Sequence, residues 1–140
     1  MKDGGDAREA VFFGGRARLM ALPAVADTRG SLLPVPFADL PFTPRRVFAV
    51  SDAPAGAVRG GHAHRSGLQL LICLQGRLAI ELRTADATAA LTLTPGGGAL
   101  LVGPGVWCRQ TYLEAGAVLL ALASEPYDPT SYLDQPVDPT

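Results

Sequence analysis

From Ala17 onward the chain alternates short apolar runs with turn residues, and nothing in it supports a long amphipathic helix. The runs predict strands over Ala17–Leu22, Ser31–Pro36, Arg45–Ser51, Gly60–Ala63, Gln69–Leu74, Arg77–Arg83, Ala90–Thr94, Ala99–Val102, Trp107–Tyr112 and Val118–Ser124. Turns are expected at Asp27–Gly30, Ala53–Gly56, Leu74–Gly76, Ala85–Ala87, Pro95–Gly98 and Glu114–Gly116, where Gly, Pro and Asp cluster. Many short strands at this spacing predict an antiparallel sandwich or barrel. The twelve prolines and sixteen glycines punctuate apolar runs, which fits such a sheet better than it fits disorder.

Composition narrows the class. A chain of 140 residues suits one domain, 1–140, with no linker, repeat or charge block to divide it. The first ten residues are polar and expected to be mobile; the tail Glu125–Thr140, rich in proline and aspartate, is expected to form a short turn or helix packed over an end of the barrel. A net charge of −1 gives no general attraction to nucleic acid or anionic lipid. The two cysteines, Cys73 and Cys108, each lie inside an apolar run and read as buried free thiols. The N-terminus lacks the apolar core of a signal peptide and no segment is long enough to span a membrane, so a cytoplasmic protein is the default expectation.

The chemistry concentrates in Gly56–Gly76, GAVRGGHAHRSGLQLLICLQG, which holds both histidines. Side chains two apart on a strand project from one face, so His62 and His64 would enter one cavity together. An isolated His-x-His is often no more than a hydrogen-bonded surface or core pair. Here it stands at the mouth of an apolar strand, flanked by Arg59 and Arg65, where polar groups are costly without partners or a function.

The spacing Gly56-x5-His62-x-His64-x4-Gln69-x6-Gly76 resembles the first motif of the cupins, with Gln69 where that motif carries glutamate. The second motif corresponds to Gly98 through Arg109, keeping the Gly98 to Pro104 interval but placing Arg109 where a metal-binding cupin has its further histidine. A catalytic transition-metal site typically takes three good protein ligands. Two imidazoles, a neutral amide and a guanidinium do not supply them, so His62 and His64 read as acid–base groups with no cofactor, metal binding by the pair being the minor alternative.

Further segments resemble one branch of the cupins, the nucleotide-sugar 3,4-ketoisomerases that act on dTDP-4-keto-6-deoxyglucose, together with the WxcM-like domain. They are Asp27-Thr-Arg-Gly30, Pro44-Arg-Arg-Val-Phe48, Arg59-Gly-Gly-His-Ala-His-Arg65, Gln69–Gly76, Val102–Trp107 and Leu122-Ala-Ser-Glu-Pro-Tyr-Asp128, which together cover most of the chain. The resemblance implies an all-β cupin fold, a double-stranded β-helix or jelly-roll barrel. It implies isomerisation of a dTDP-linked 4-keto-6-deoxyhexose to its 3-keto isomer, in deoxy- or amino-sugar and polysaccharide biosynthesis. His64 would be the carbon base and His62 the group that relays protons at the oxygens. Arg59, Arg109 and Gln69 would face the developing enediolate, Arg46 or Arg65 the diphosphate, and Trp107 a base or sugar face. A homodimer with exchanged N-terminal strands is also implied. Arg65, Ala49 and Cys108 depart from the family pattern, at positions expected to be lysine, aromatic and polar. Two other readings stand beside this one: an epimerase of the same fold, with Tyr112 the nearest candidate acid, and a non-catalytic sugar-nucleotide or small-ligand sensor.

Overall fold

The computed structural model describes residues 9–138, and every strand pairing in it is antiparallel. The strands are β1 (Ala10–Phe12), β2 (Ala17–Met20), β3 (Val25–Asp27), β4 (Gly30–Leu32), β5 (Arg46–Val50), β6 (Ala57–His64), β7 (Gln69–Gln75), β8 (Leu78–Arg83), β9 (Thr88–Leu93), β10 (Ala99–Val102), β11 (Trp107–Tyr112), β12 (Val118–Ala123) and β13 (Tyr132–Leu133). One sheet runs β1-β2-β10-β7-β12-β5 and the other β13-β6-β11-β8-β9, while β3 and β4 form a separate hairpin. This is the jelly-roll barrel expected of a cupin.

The alternation that predicts the strands also sets the core. In β8, Leu78, Ile80 and Leu82 are buried while Ala79, Glu81 and Arg83 are half-buried, so one face of the strand points into the barrel. Between the two sheets these leucines and isoleucine meet Leu71, Cys73, Leu100, Tyr112 and Leu119, each large apolar side chain contributing about 1.5–3 kcal/mol by leaving water. β7 has no polar face at all from Leu70 to Cys73, because both its sides are covered. Leu70 and Ile72 face outward under Leu33, Val35, Leu40 and Phe42.

That cover explains one correction. The expected strand Ser31–Pro36 stops at Leu32, in the β3–β4 hairpin whose turn is closed by Asp27 accepting the Arg29 backbone N–H at 2.8 Å. Pro34 and Pro36 cannot donate to a ladder, and the chain from Leu33 onward becomes a strap over the outer face of the six-stranded sheet. β1, β3 and β13 were not expected. Residues 1–8 of the polar N-terminus lie outside the described residues, and Ala10 already belongs to β1. The tail makes a short helical turn at Pro129–Ser131, capped by the Asp128 side chain, and then adds β13 beside β6.

Candidate active site

β6 is longer than its apolar pattern predicts because it contains a bulge. Against β11, Cys108 pairs with His62 and Arg109 with Gly60, so Gly61 is an extra residue on β6. Gly60 and Gly61 take φ of 78° and 82°, a left-handed backbone that glycine adopts without penalty. The extra residue inverts the alternation on its N-terminal side. Arg59, three positions before His62, lands opposite Gln110 and faces the same cavity as His62.

This cavity, of about 190 Å³, opens at one end of the barrel. Arg59 and His62 line it from β6, Gln69 from β7, Gln110 from β11 and Phe48 from β5. A smaller adjoining hollow holds His64 and Arg46 beside Gln69. The imidazoles stand edge to face with ring centres 5.2 Å apart.

Burial holds both histidines neutral. It lowers the His62 pKa below the usual imidazole value, opposed by a hydrogen bond to the Gly60 carbonyl and by the charge of Asp134. His64 is lowered to about 4, first by burial, then by repulsion from His62 once that ring takes a proton, and by the charge of Arg46. At neutral pH this leaves two unprotonated imidazoles next to two guanidinium groups, an arrangement suited to taking a proton and stabilising the anion left behind.

Tyr132, which the sequence reading passed over, completes the wall. It pairs with His64 across the β13–β6 ladder, and its ring centre lies 4.5 Å from each imidazole. Tyr127 lies 5.8 Å from Tyr132, and the Arg46 guanidinium sits over both Tyr127 and Phe48, at 5.5 and 5.2 Å.

Of the expected site residues, the structure brings together His62, His64, Arg46, Arg59 and Gln69. It separates the other three. Arg65 lies just past the end of β6, exposed and outside the lining of both the cavity and the hollow, and its charge is felt by Asp128 at the rim of the hollow. Trp107 and Arg109 project from the outer face of β11. Trp107 is buried there beneath Arg83, whose guanidinium lies 3.7 Å from the indole ring centre, and Arg109 is ion-paired with Glu81. The expectation that Arg109 lines the barrel is therefore corrected: β11 alternates, and the inward positions belong to Cys108, Gln110 and Tyr112. Tyr112, the epimerase candidate acid, is sealed in the core, with its hydroxyl buried and unpartnered. Among the described residues no three His, Cys, Asp or Glu side chains gather as a metal site.

Residues 16–138 match the family described as FdtA, WxcM-like, C-terminal. The chain belongs to this family. A curated relative, the TDP-4-oxo-6-deoxy-alpha-D-glucose-3,4-oxoisomerase of Aneurinibacillus thermoaerophilus, is 34% identical over 112 residues, 79% of this chain and 81% of the relative. Among solved structures, a variant of the 3,4-ketoisomerase QdtA from Thermoanaerobacterium thermosaccharolyticum, in complex with TDP-4-keto-6-deoxyglucose, superposes with a TM-score of 0.80 at 34% identity. That match covers 86% of this chain and 88% of QdtA. The TDP-quinovose 3,4-ketoisomerase WlaRB of Campylobacter jejuni superposes with a TM-score of 0.78 at 31% identity, over 85% and 92% of the two chains. The match to the WxcM-like family takes in β13 and so Tyr132, as well as the histidine strand.

Two cavity residues with polar side chains, Gln110 and Tyr132, were absent from the expected site for different reasons. Gln110 was within reach: once Cys108 is assigned the face away from Arg109, alternation puts Gln110 beside Cys108. Tyr132 carried no such signal, since β13 is a two-residue strand in a tail rich in proline and aspartate.

Proposed function

We propose that this chain is a 3,4-ketoisomerase of a TDP-linked 4-keto-6-deoxyhexose, working by histidine acid–base chemistry without a metal. The observation that carries the reading is the pair of neutral imidazoles in edge-to-face contact at a cavity that also receives Arg59 and Gln69. The family membership, and the reactions named for its relatives, point the same way.

Moving a ketone from C4 to C3 takes the C3 proton away, passes through an enediolate and returns a proton to C4. His64, neutral far below physiological pH, takes the C3 proton. Arg59 and the Gln69 amide stabilise the charge that develops on the oxygens, and His62 carries the hydroxyl proton from O3 to O4. The imidazolium of His64 then protonates C4, so the enzyme ends as it began and no electron leaves the substrate. The cavity is smaller than the roughly 300–1,000 Å³ that engulfs a whole drug-sized ligand. It takes the sugar, with the diphosphate towards Arg46 at the adjoining hollow, where a guanidinium favours phosphate oxygens.

An epimerase would need an acid across the sugar from its histidine base. Tyr112 is sealed in the core, and Tyr132 is packed directly on the imidazoles with no room for a sugar between. The proposal includes a homodimer in which the β1–β2 hairpin, lying here along β10 of its own chain with Val11 exposed, exchanges onto the partner barrel. Light scattering coupled to size exclusion tests the dimer.

Proton NMR of the chelator-treated protein with TDP-4-keto-6-deoxyglucose in deuterium oxide tests the reaction. The expected result is a 3-keto product, with deuterium at C4 to the extent that the His64 imidazolium exchanges with solvent before it protonates C4. A substrate that stays intact with no exchange at C3 overturns the reading for this sugar.

A further inference from the structure

We propose that Tyr132 is a positioning residue for both histidines: its ring, delivered by β13 onto the open side of β6, fixes the edge-to-face arrangement of His62 and His64 and keeps water off them. The proposal rests on the acid–base reading of those histidines, which makes their orientation and neutrality matter.

The geometry supports it from several sides. Tyr132 is directly opposite His64 in the antiparallel ladder, and residues so paired share a face with close Cβ atoms. Its ring stands 4.5 Å from each imidazole centre, closer to both than they are to each other at 5.2 Å. It lines both the cavity that holds His62 and the hollow that holds His64, so it forms the shared wall.

The tail is built to present this ring. Asp128 caps the short turn by accepting the Thr130 backbone N–H at 3.0 Å and its hydroxyl at 2.7 Å. The Ser131 backbone N–H donates to the Asp128 carbonyl at 3.0 Å, and the Ser131 carbonyl accepts the Arg65 backbone N–H at 2.8 Å. Beyond β13, the Val137 N–H donates to Gly105, whose own N–H donates to the His64 carbonyl at 2.8 Å. Arg16 of the N-terminal hairpin donates to the Val137 carbonyl at 2.9 Å. Backbone is thus tied down on both sides of Tyr132, and the histidine strand is held by the same ties. Two further contacts extend the wall outward, Tyr127 against Tyr132 within the tail and Arg46 against Tyr127.

The charged groups around the imidazoles come from other residues: Arg46 on β5, Arg59 on β6, Asp134 after β13, and Glu125 and Asp128 at the rim of the hollow. Removing the Tyr132 ring leaves each of them in the chain. What it changes is the solvent exposure and freedom of the two rings, and burial is the leading cause of their lowered pKa values.

The chain has only two histidines, so their imidazole signals give an NMR titration that needs no substrate. In Tyr132→Phe both titrations stay where the wild-type protein has them and kcat is retained. In Tyr132→Ala both rise towards the free value of about 6.5. The acid limb of the pH–rate profile moves up with them, and kcat falls by roughly 10- to 100-fold, the scale of a mispositioned catalytic group, with KM changed little. Tyr132→Leu, which keeps apolar bulk, takes the place of the alanine variant if that variant does not fold, and shows an intermediate shift. Unmoved titrations and an unmoved pH profile in the alanine or leucine variant overturn the proposal. So does a Tyr132→Phe variant as inactive as Tyr132→Ala, which would assign the work to the hydroxyl. If the wild-type protein turns nothing over, the isomerase reading fails on its own while the imidazole titrations still decide the role of Tyr132.

Discussion

Arg59 and His62 face one cavity although they stand three positions apart, because Gly61 is a supernumerary residue in β6. Gly60 and Gly61 serve this bulge differently. A Cβ on Gly60 would meet the Gln110 amide at 2.9 Å and the Cys108 carbonyl at 3.0 Å, whereas one on Gly61 would meet only Trp107, at 3.7 Å. Gly60→Ala is therefore expected to lose about 1–3 kcal/mol of stability and most of the activity, through left-handed strain together with displacement of Gln110. Gly61→Ala carries the backbone strain alone, about 1–2 kcal/mol, and keeps activity. Urea unfolding and steady-state kinetics on the two variants check the contrast.

His64→Asn keeps shape and polarity but removes the proposed carbon base. Turnover should fall by about 10²- to 10⁴-fold, the usual contribution of a positioned general base. Binding of a TDP-sugar, followed by calorimetry, should stay close to wild type. A variant that retains turnover would transfer the carbon base to His62.

The rate against pH should reflect a base that is neutral until unusually acid conditions. The proposed base His64 acts unprotonated and its pKa is lowered to about 4, so kcat/KM should hold well below pH 6.5 and fall only as pH approaches 4. Stability moves in the same direction. The unfolded chain binds a proton on His64 near pH 6.5 while the folded chain resists it to about 4, so across that window folding is progressively disfavoured as pH drops and the penalty is absent above it. Thermal melts between pH 4 and pH 7 beside the kinetic profile separate loss of activity from loss of fold.

Trp107 is the single tryptophan and lies on the outer face of β11 under Arg83, away from the histidine cavity. Its fluorescence should stay constant as a TDP-sugar is titrated in. A large change in emission would return Trp107 to the binding surface expected from the sequence.

Burial pushes the Cys73 and Cys108 thiols up to about 11. Both should ignore a thiol reagent at neutral pH while the protein is folded, and both should react on denaturation. Rapid labelling of the native protein would mean that the core around these thiols opens readily.

The barrel was legible because its strands alternate or are wholly apolar, and because glycine and proline mark nearly every turn. β10 and β11 begin and end where the pattern places them. The histidine pair was legible for the same reason, since period two alone puts both rings on one face. What escaped was whatever depends on a departure from period two or on a partner distant in sequence. The Gly60–Gly61 bulge decides the face of Arg59, and the inward face of β11 decides that Gln110, and not Arg109, reaches the cavity. Leu33 and Val35 look like strand residues but serve as a lid over Leu70 and Ile72. Tyr132 matters only through its pairing with His64, and no local pattern announces that.

The pairing of β13 with β6 also sets when the site can come into being. Roughly 70 residues lie between His64 and Tyr132, several seconds of synthesis at about 5–20 residues per second. Until the late segment leaves the ribosome, the histidine strand waits with one flank open to water. A nascent barrel can hold every other cavity residue while its two imidazoles still lack their Tyr132 wall, so the histidine strand gains its last neighbour only with the tail.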